Sequence, residues 1–200
     1  MATVDRKPGT RDRLIATMSR ALQRRGLHGV GLNELLAEAQ APKGVLYHHF
    51  PGGKTELAVA AIHATVVRIT ASLDQLIAAR ADPLPTLRGW LAAAQKQLEQ
   101  SAFERGCPLA TVALESTADD GAIRAALAEG FDAIRERLAA MLATAGLGPA
   151  KARTLAALIV AAYEGALMQA RVAGNTQPMG DTAEALITLL QVELSARSPA

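Results

Sequence analysis

Hydrophobic positions along this chain recur at spacings of three and four, not two, and that spacing predicts helices from end to end. Leu14, Met18 and Leu22 form the stripe of a first helix, with Ile15 and Ala21 beside it. Thr10 can cap its start. Gly26 stops it, and Leu27 follows as the hydrophobic residue that often accompanies a glycine cap. A short helix is expected over about 32–39, with Gly31 as its cap. The next is expected to begin at Pro42, because a proline fits the first helical turn, and to end near His48. Pro51-Gly52-Gly53 then breaks the chain before a long helix striped by Leu57, Ile62, Val66, Ile69, Leu73, Leu76 and Ile77.

Pro83 and Pro85 open a fifth helix with Leu87, Leu91, Ala94 and Leu98. Gly106-Cys107-Pro108 starts a short sixth, to about Glu115. Asp119 or Asp120 is expected to cap a seventh, carrying Ile123, Leu127, Phe131, Ile134, Leu138 and Leu142. Gly146-Leu147-Gly148-Pro149 ends it, and an eighth is expected over about 149–172. Asp181 is expected to cap a ninth, with Glu184 in capping-box position. No alternating run asks for a strand and no fixed repeat occurs, so the expected class is all-α, with about nine helices.

Composition adds limits. Of 200 residues, 50% are hydrophobic and 20% charged, enough to bury a sizeable core in one or two domains. The longest stretch without a polar residue, 155–163, falls short of the about 20 residues of a membrane span, so no transmembrane helix and no membrane partner is expected. The opening MATVDRKPGTRDR lacks the apolar core of a secretory signal. Cys107 is the single cysteine, which excludes an internal disulfide and paired-cysteine zinc sites; a reducing, cytoplasmic location is the default. Charge is uneven. Residues 1–63 hold nine Lys and Arg against five Asp and Glu, while the remainder is slightly acidic. That balance suits a polyanion partner for the first part only, although a solvated basic face is the commoner cause of such a balance.

Residues 29–57 carry the most chemistry. Two short helices joined by a tight turn, behind a longer one, make a helix-turn-helix, whose second helix can enter a major groove. Pro42-Lys43-Gly44-Val45 forms its tip. Lys43 can donate to guanine or phosphate, Gly44 lets the backbone approach, and Val45 offers a methyl contact to thymine. Tyr47, His48 and Lys54 can each donate to phosphate oxygens, and Lys54 lies in the first turn of the long helix, where free N–H groups also favour an anion. Phe50 is read as core. His48 and His49 are adjacent and cannot both face one metal; His48 is expected to face DNA and His49 to pack.

The segment 29–50, GVGLNELLAEAQAPKGVLYHHF, resembles the helix-turn-helix signature of TetR-type transcriptional regulators, above all in its ending from Lys43 to Phe50. The continuation PGGKTEL, and GCPLATVALE at 106–115, resemble the LmrA/YxaF-type branch. The resemblance implies a DNA-binding domain over 1–52 and a ligand-binding and dimerisation domain over 53–200. It also implies a homodimer, a double-stranded operator, and repression relieved by a small effector. The chain departs from the common pattern at Gly31, where Ser or Thr is frequent; at Gln40, where glycine is frequent and a left-handed residue is strained by about 1 kcal/mol; and at Pro42, which removes a hydroxyl.

In the family the effector cavity lies among the helices that carry the few aromatics here. Trp90, Gln97, Phe103, Cys107, Phe131, Tyr163 and Met168 are therefore the candidate ligand contacts, each equally readable as core. With few charges on these stripes, an apolar or aromatic effector is expected. Cys107 reads as a small buried residue at a helix start, or as a redox sensor activated by the helix N-terminus. The eighth helix is rich in small residues (Ala156, Ala157, Ala161, Ala162, Gly165, Ala166). The ninth has Ala183, Leu186, Ile187, Leu190 and Leu194 on one side; two such pairs are expected to build a dimeric four-helix bundle. No HExxH, GxSxG, GxGxxG or Walker sequence occurs, so neither an enzyme nor a cofactor is expected. Rival readings are an all-α ligand carrier, or an enzyme with a buried helical site, neither using DNA.

Overall fold

The computed structural model describes residues 9–79 and 82–196. Among these it holds nine helices and no strand: α1 (Thr10–Arg25), α2 (Leu32–Glu38), α3 (Lys43–His49), α4 (Gly53–Ala79), α5 (Pro83–Gln100), α6 (Pro108–Glu115), α7 (Gly121–Thr144), α8 (Pro149–Ala173) and α9 (Gln177–Ser195). The all-α class holds.

The small head is α1–α3 closed by the start of α4. Leu14, Met18 and Leu22 of α1 are fully buried with Leu46, Phe50 and Leu57. Burying one leucine contributes about 1.5–3 kcal/mol, against about 0–1 for an exposed ion pair, so this cluster and not the surface arginines holds the head together. Ser19 is also buried, and its hydroxyl donates to the Ala61 carbonyl at 3.3 Å, fastening α1 to α4. The division expected at residue 52 coincides with the start of α4. That helix nonetheless serves both parts, packing on α1 early and on α7 along its length. Gly130 of α7 permits the close approach: a Cβ there would lie 2.7 Å from Val66 Cγ2 of α4 and 3.0 Å from Leu109 Cδ2 of α6.

Several helix ends differ from expectation. Pro42 is the N-cap of α3, extended at φ −63°, ψ 149°, and not a residue of its first turn. Asp120 is the N-cap residue of α7, one of the two expected, but its carboxylate turns back to accept from Thr117 N and Oγ1 at 2.9 and 3.0 Å and makes no capping hydrogen bond to the helix. Asp181 lies inside α9, which starts four residues earlier. Pro178 suits that first turn, and Asn175 Oδ1 accepts from Gln177 N at 3.0 Å. Glu184, expected to complete a capping box, instead meets Arg88 of α5 at 2.8 Å.

By length and composition α4 and α8 are each apolar enough to cross a bilayer. The nine-residue limit read from the sequence is therefore too strict, because alanine-rich helices keep a high mean hydropathy across scattered charges. Both pack inside the bundle, α4 against α1 and α7, α8 against α7 and α9.

Candidate nucleic-acid interface and effector cavity

The turn between α2 and α3 is tight because Gln40 takes φ +51°, a left-handed conformation that a side chain makes costly. The Ala41 N–H donates to Leu36 O at 3.0 Å, and Arg13 Nε donates to Ala39 O at 3.3 Å, so α1 braces the turn. Leu46 and Phe50 anchor α3 inward. Its opposite face then points to solvent: Pro42, Lys43, Gly44, Tyr47 and His48 are exposed, while Val45 and His49 are half-buried. A Cβ at Gly44 would meet nothing within 4 Å. His49 stands edge-on to Phe50 with centroids 6.5 Å apart, and the Arg11 guanidinium lies 5.3 Å from the Phe50 ring centre. The helix thus brings Lys43, Gly44, Tyr47 and His48 onto one open surface and turns Val45 partly away from it.

Lys54 is half-buried in the first turn of α4; burial lowers its pKa, with Glu115 opposing. The basic excess of the N-terminal part is partly spent within the fold. Arg20 meets Glu38 at 2.9 Å, Arg25 meets Glu34 at 2.8 Å, and Arg24 meets Glu104 at 3.3 Å. Arg6 and Lys7, counted in that excess, lie outside the described residues.

Where head meets body, Glu115 at the end of α6 accepts from the Leu27 and His28 N–H groups at 2.6 and 3.0 Å. Gly26, at φ +67°, makes room: a Cβ there would sit 1.8 Å from Glu115 Oε1. Gly106 N donates to Gln23 O at 3.1 Å, and Arg171 of α8 donates to Arg24 O at 2.9 Å. Glu115 and Arg171 escaped sequence reasoning, since a carboxylate that binds backbone 88 residues away has no local pattern. The preceding connection is strained, with Ala102 and Phe103 both left-handed at φ +51° and +62°.

A cavity of about 610 Å³ opens among α4, α5, α7 and α8 and the segment before α6. Trp90, Gln97, Cys107 and Tyr163 all line it; the Trp90 and Tyr163 rings lie 4.6 Å apart, tilted 36°. Three other candidates are elsewhere. Phe131 packs against the core without lining the cavity. Phe103 and Met168 flank a separate open cleft of about 890 Å³ between the head and α8, where the left-handed turn carries Phe103 and where Met168 is half exposed. Cys107 is buried at the start of α6, and burial together with Glu164 pushes its thiol pKa well up. Burial thus opposes the lowering that a helix N-terminus would give this thiol. Sequence reasoning missed Glu164. It lines the cavity, burial raises its carboxyl pKa to about 7, and its Oε2 has no hydrogen-bond partner.

Residues 14–61 match the family described as bacterial regulatory proteins of the tetR family, and residues 83–185 match the C-terminal domain of LmrA/YxaF-like transcriptional regulators. The chain belongs to the TetR family, in its LmrA/YxaF-like branch. The HTH-type transcriptional regulator LmrA of Bacillus subtilis is 27% identical over 170 residues, covering 85% of this chain and 90% of LmrA. An HTH-type transcriptional regulator of Mycobacterium tuberculosis is 29% identical over 95% of this chain and 98% of its own. Among solved structures, a regulatory TetR protein from Rhodobacter sphaeroides superposes with a TM-score of 0.80 at 26% identity, covering 90% of this chain and 97% of that one. Reduced E. coli NemR does so at 0.71 and 25%, covering 88% and 94%. This TetR-family chain is thus a transcriptional regulator by family and by fold.

Proposed function

We propose that this TetR-family regulator is a repressor that binds a palindromic operator as a homodimer in the cytoplasm and is released by a small effector. The observation that carries it is the open face of α3: Lys43, Gly44, Tyr47 and His48 are exposed together on a helix whose other side is locked by Leu46 and Phe50. Phosphate contacts by Tyr47, His48 and Lys54 set the register, and the tip from Pro42 to Val45 reads base edges. One seven-residue helix reads little DNA, so two copies in grooves about 34–36 Å apart are needed.

The dimer uses α8 and α9, but not through all the residues first expected. Leu186 and Leu190 are buried within their own subunit, as are Ala156 and Ala166. Apart from Met168 in the cleft beside the head, Leu158, Val172 and Val192 are the large apolar side chains these helices leave exposed, with Ala157 and Ala161 beside Leu158. They form the face offered to a second copy.

Effector control runs through contacts shared by cavity and head. The segment 105–108 lines the cavity, Gly106 binds α1, and α6 ends in Glu115, which holds the chain leaving α1. An effector that shifts α6 favours a conformer with the wrong spacing between recognition helices, and DNA affinity falls by linkage. Selection of bound sites from random DNA tests this reading. A palindromic site bound in a salt-dependent way supports it; failure to enrich any site sinks it in favour of a ligand carrier.

A further inference from the structure

Among the described residues, Glu164 is the ionisable group of the cavity that the fold leaves only half satisfied. It projects from α8 next to Tyr163; the Cys107 thiol hydrogen-bonds its carboxyl, but Oε2 is shut off from solvent and has no hydrogen-bond partner. A buried carboxylate with one oxygen unpartnered and only a thiol as its donor is costly. The charged neighbours do not answer it. Arg20, Arg68 and Arg105 line the cavity from α1, α4 and the segment before α6, but all three are exposed at its rim. Arg20 is already paired with Glu38, and Arg68 donates to Thr65 Oγ1. From α5 the polar group is Gln97, and from α7 Ile134 is apolar. The titratable groups that interact with the carboxyl are the Cys107 thiol, which hydrogen-bonds it, and the Tyr163 phenol, both kept neutral by burial.

Beside the carboxyl stands the Trp90–Tyr163 pair, whose faces attract a cation. We propose that the cavity takes an effector with a protonated amine on an aromatic or apolar body, its ammonium meeting Glu164 and its body lying against Trp90 and Tyr163. The proposal rests on the effector-controlled regulator above and changes the expected ligand from apolar to cationic and amphipathic. Three features support each other: an orphan acceptor, an aromatic wall, and a volume suited to a molecule of drug size. The carboxyl, which titrates at about 7 when empty, must ionise to bind the amine. Cation affinity therefore rises from pH 6 to pH 8, while binding of a neutral ligand does not.

The test is calorimetric titration of the full-length protein with three probes of similar shape: naphthylethylamine, naphthylethanol and naphthylacetate. The amine is expected to bind about tenfold or more tightly than the alcohol, as a charge-assisted hydrogen bond would give, and the acid most weakly. In E164Q the amine and alcohol should bind alike and the pH dependence should vanish. An alcohol or acid that binds the wild type as tightly as the amine overturns the proposal, as does a preference that survives in E164Q or the failure of all three to bind. The wild-type comparison decides even if E164Q folds poorly. Release of operator DNA is followed in parallel. Amine-selective binding that leaves the DNA bound supports the site and removes the effector-controlled repressor; release by alcohol and amine alike keeps the repressor and removes the cationic effector.

Discussion

The head and the body of this protein place their chemistry on opposite sides of their helices. In the head, α3 buries Leu46 and Phe50 and shows Lys43, Tyr47 and His48 outward. In the body, Trp90, Tyr163 and Glu164 turn inward around a cavity. A surface that reads a polymer is assembled from consecutive residues on one short helix, so it is compact in sequence. A cavity is assembled from side chains tens of residues apart, none meaningful alone. The two are joined at Gly26, where removal of a side chain lets Glu115 of the body grip the backbone of the head.

The contrast can be broken first at the proposed dimer face. Leu190→Glu places a carboxylate in a fully buried site of its own subunit and should cost about 4 kcal/mol or more, so the subunit unfolds. Val192→Glu, at a position 62% exposed, should fold normally and yield monomers with weakened operator binding. Circular dichroism and sedimentation separate the two outcomes. A folded monomer from Leu190→Glu, or a stable dimer from Val192→Glu, would reverse the assignment of the faces.

A second test compares pH dependence inside and outside. Glu164 has its carboxyl pKa raised to about 7 from an ordinary 4.5, so its protonated form is favoured by folding. That contribution is fully present below about pH 4.5 and is lost as pH rises through about 7. Urea unfolding should show a loss on the order of 2–3 kcal/mol for the wild type between those limits that is absent in E164Q. Equal pH profiles would mean that the carboxyl is well solvated.

Breaking the junction should have a smaller effect on stability and a larger one on control. Glu115→Ala leaves the Leu27 and His28 N–H groups without their acceptor and should cost about 1–3 kcal/mol. Operator binding should persist while effector release weakens, measured by fluorescence anisotropy on labelled DNA; unchanged release would remove Glu115 from the coupling. The smallest effects are expected from single lysine contacts to DNA. Lys43→Ala and Lys54→Ala should each lower the salt slope of binding by about one per subunit. The loss should be larger for Lys43, which is exposed, than for half-buried Lys54. The opposite ranking would put the start of α4 closer to the DNA than α3.

Legibility differed between the two regions for the same reason. Helix starts and stops were plain wherever proline or glycine dictated them, as at Gly26, Pro83, Pro108 and Pro149, because these residues act on their own backbone. Acidic caps were less reliable: Asp120 and Asp181 have other structures available to them, and the competing turn at Thr117 and the earlier start at Gln177 won. Trp90, Gln97, Cys107 and Tyr163 line one cavity, while Phe103, in the left-handed turn after α5, and Met168 of α8 line the separate cleft.

Periodicity alone determined that this chain is all-α, and the residues from Lys43 to Phe50 marked the second helix of the helix-turn-helix, because both depend on neighbours within one or two turns. Which leucines of α9 face inward, which arginines are spent on ion pairs, and that one oxygen of Glu164 sits unpartnered in the cavity of Trp90 and Tyr163 were decided by the tertiary structure. Burial and electrostatic pairing depend on residues far apart in the chain, and only the packed helices bring those residues within reach of one another.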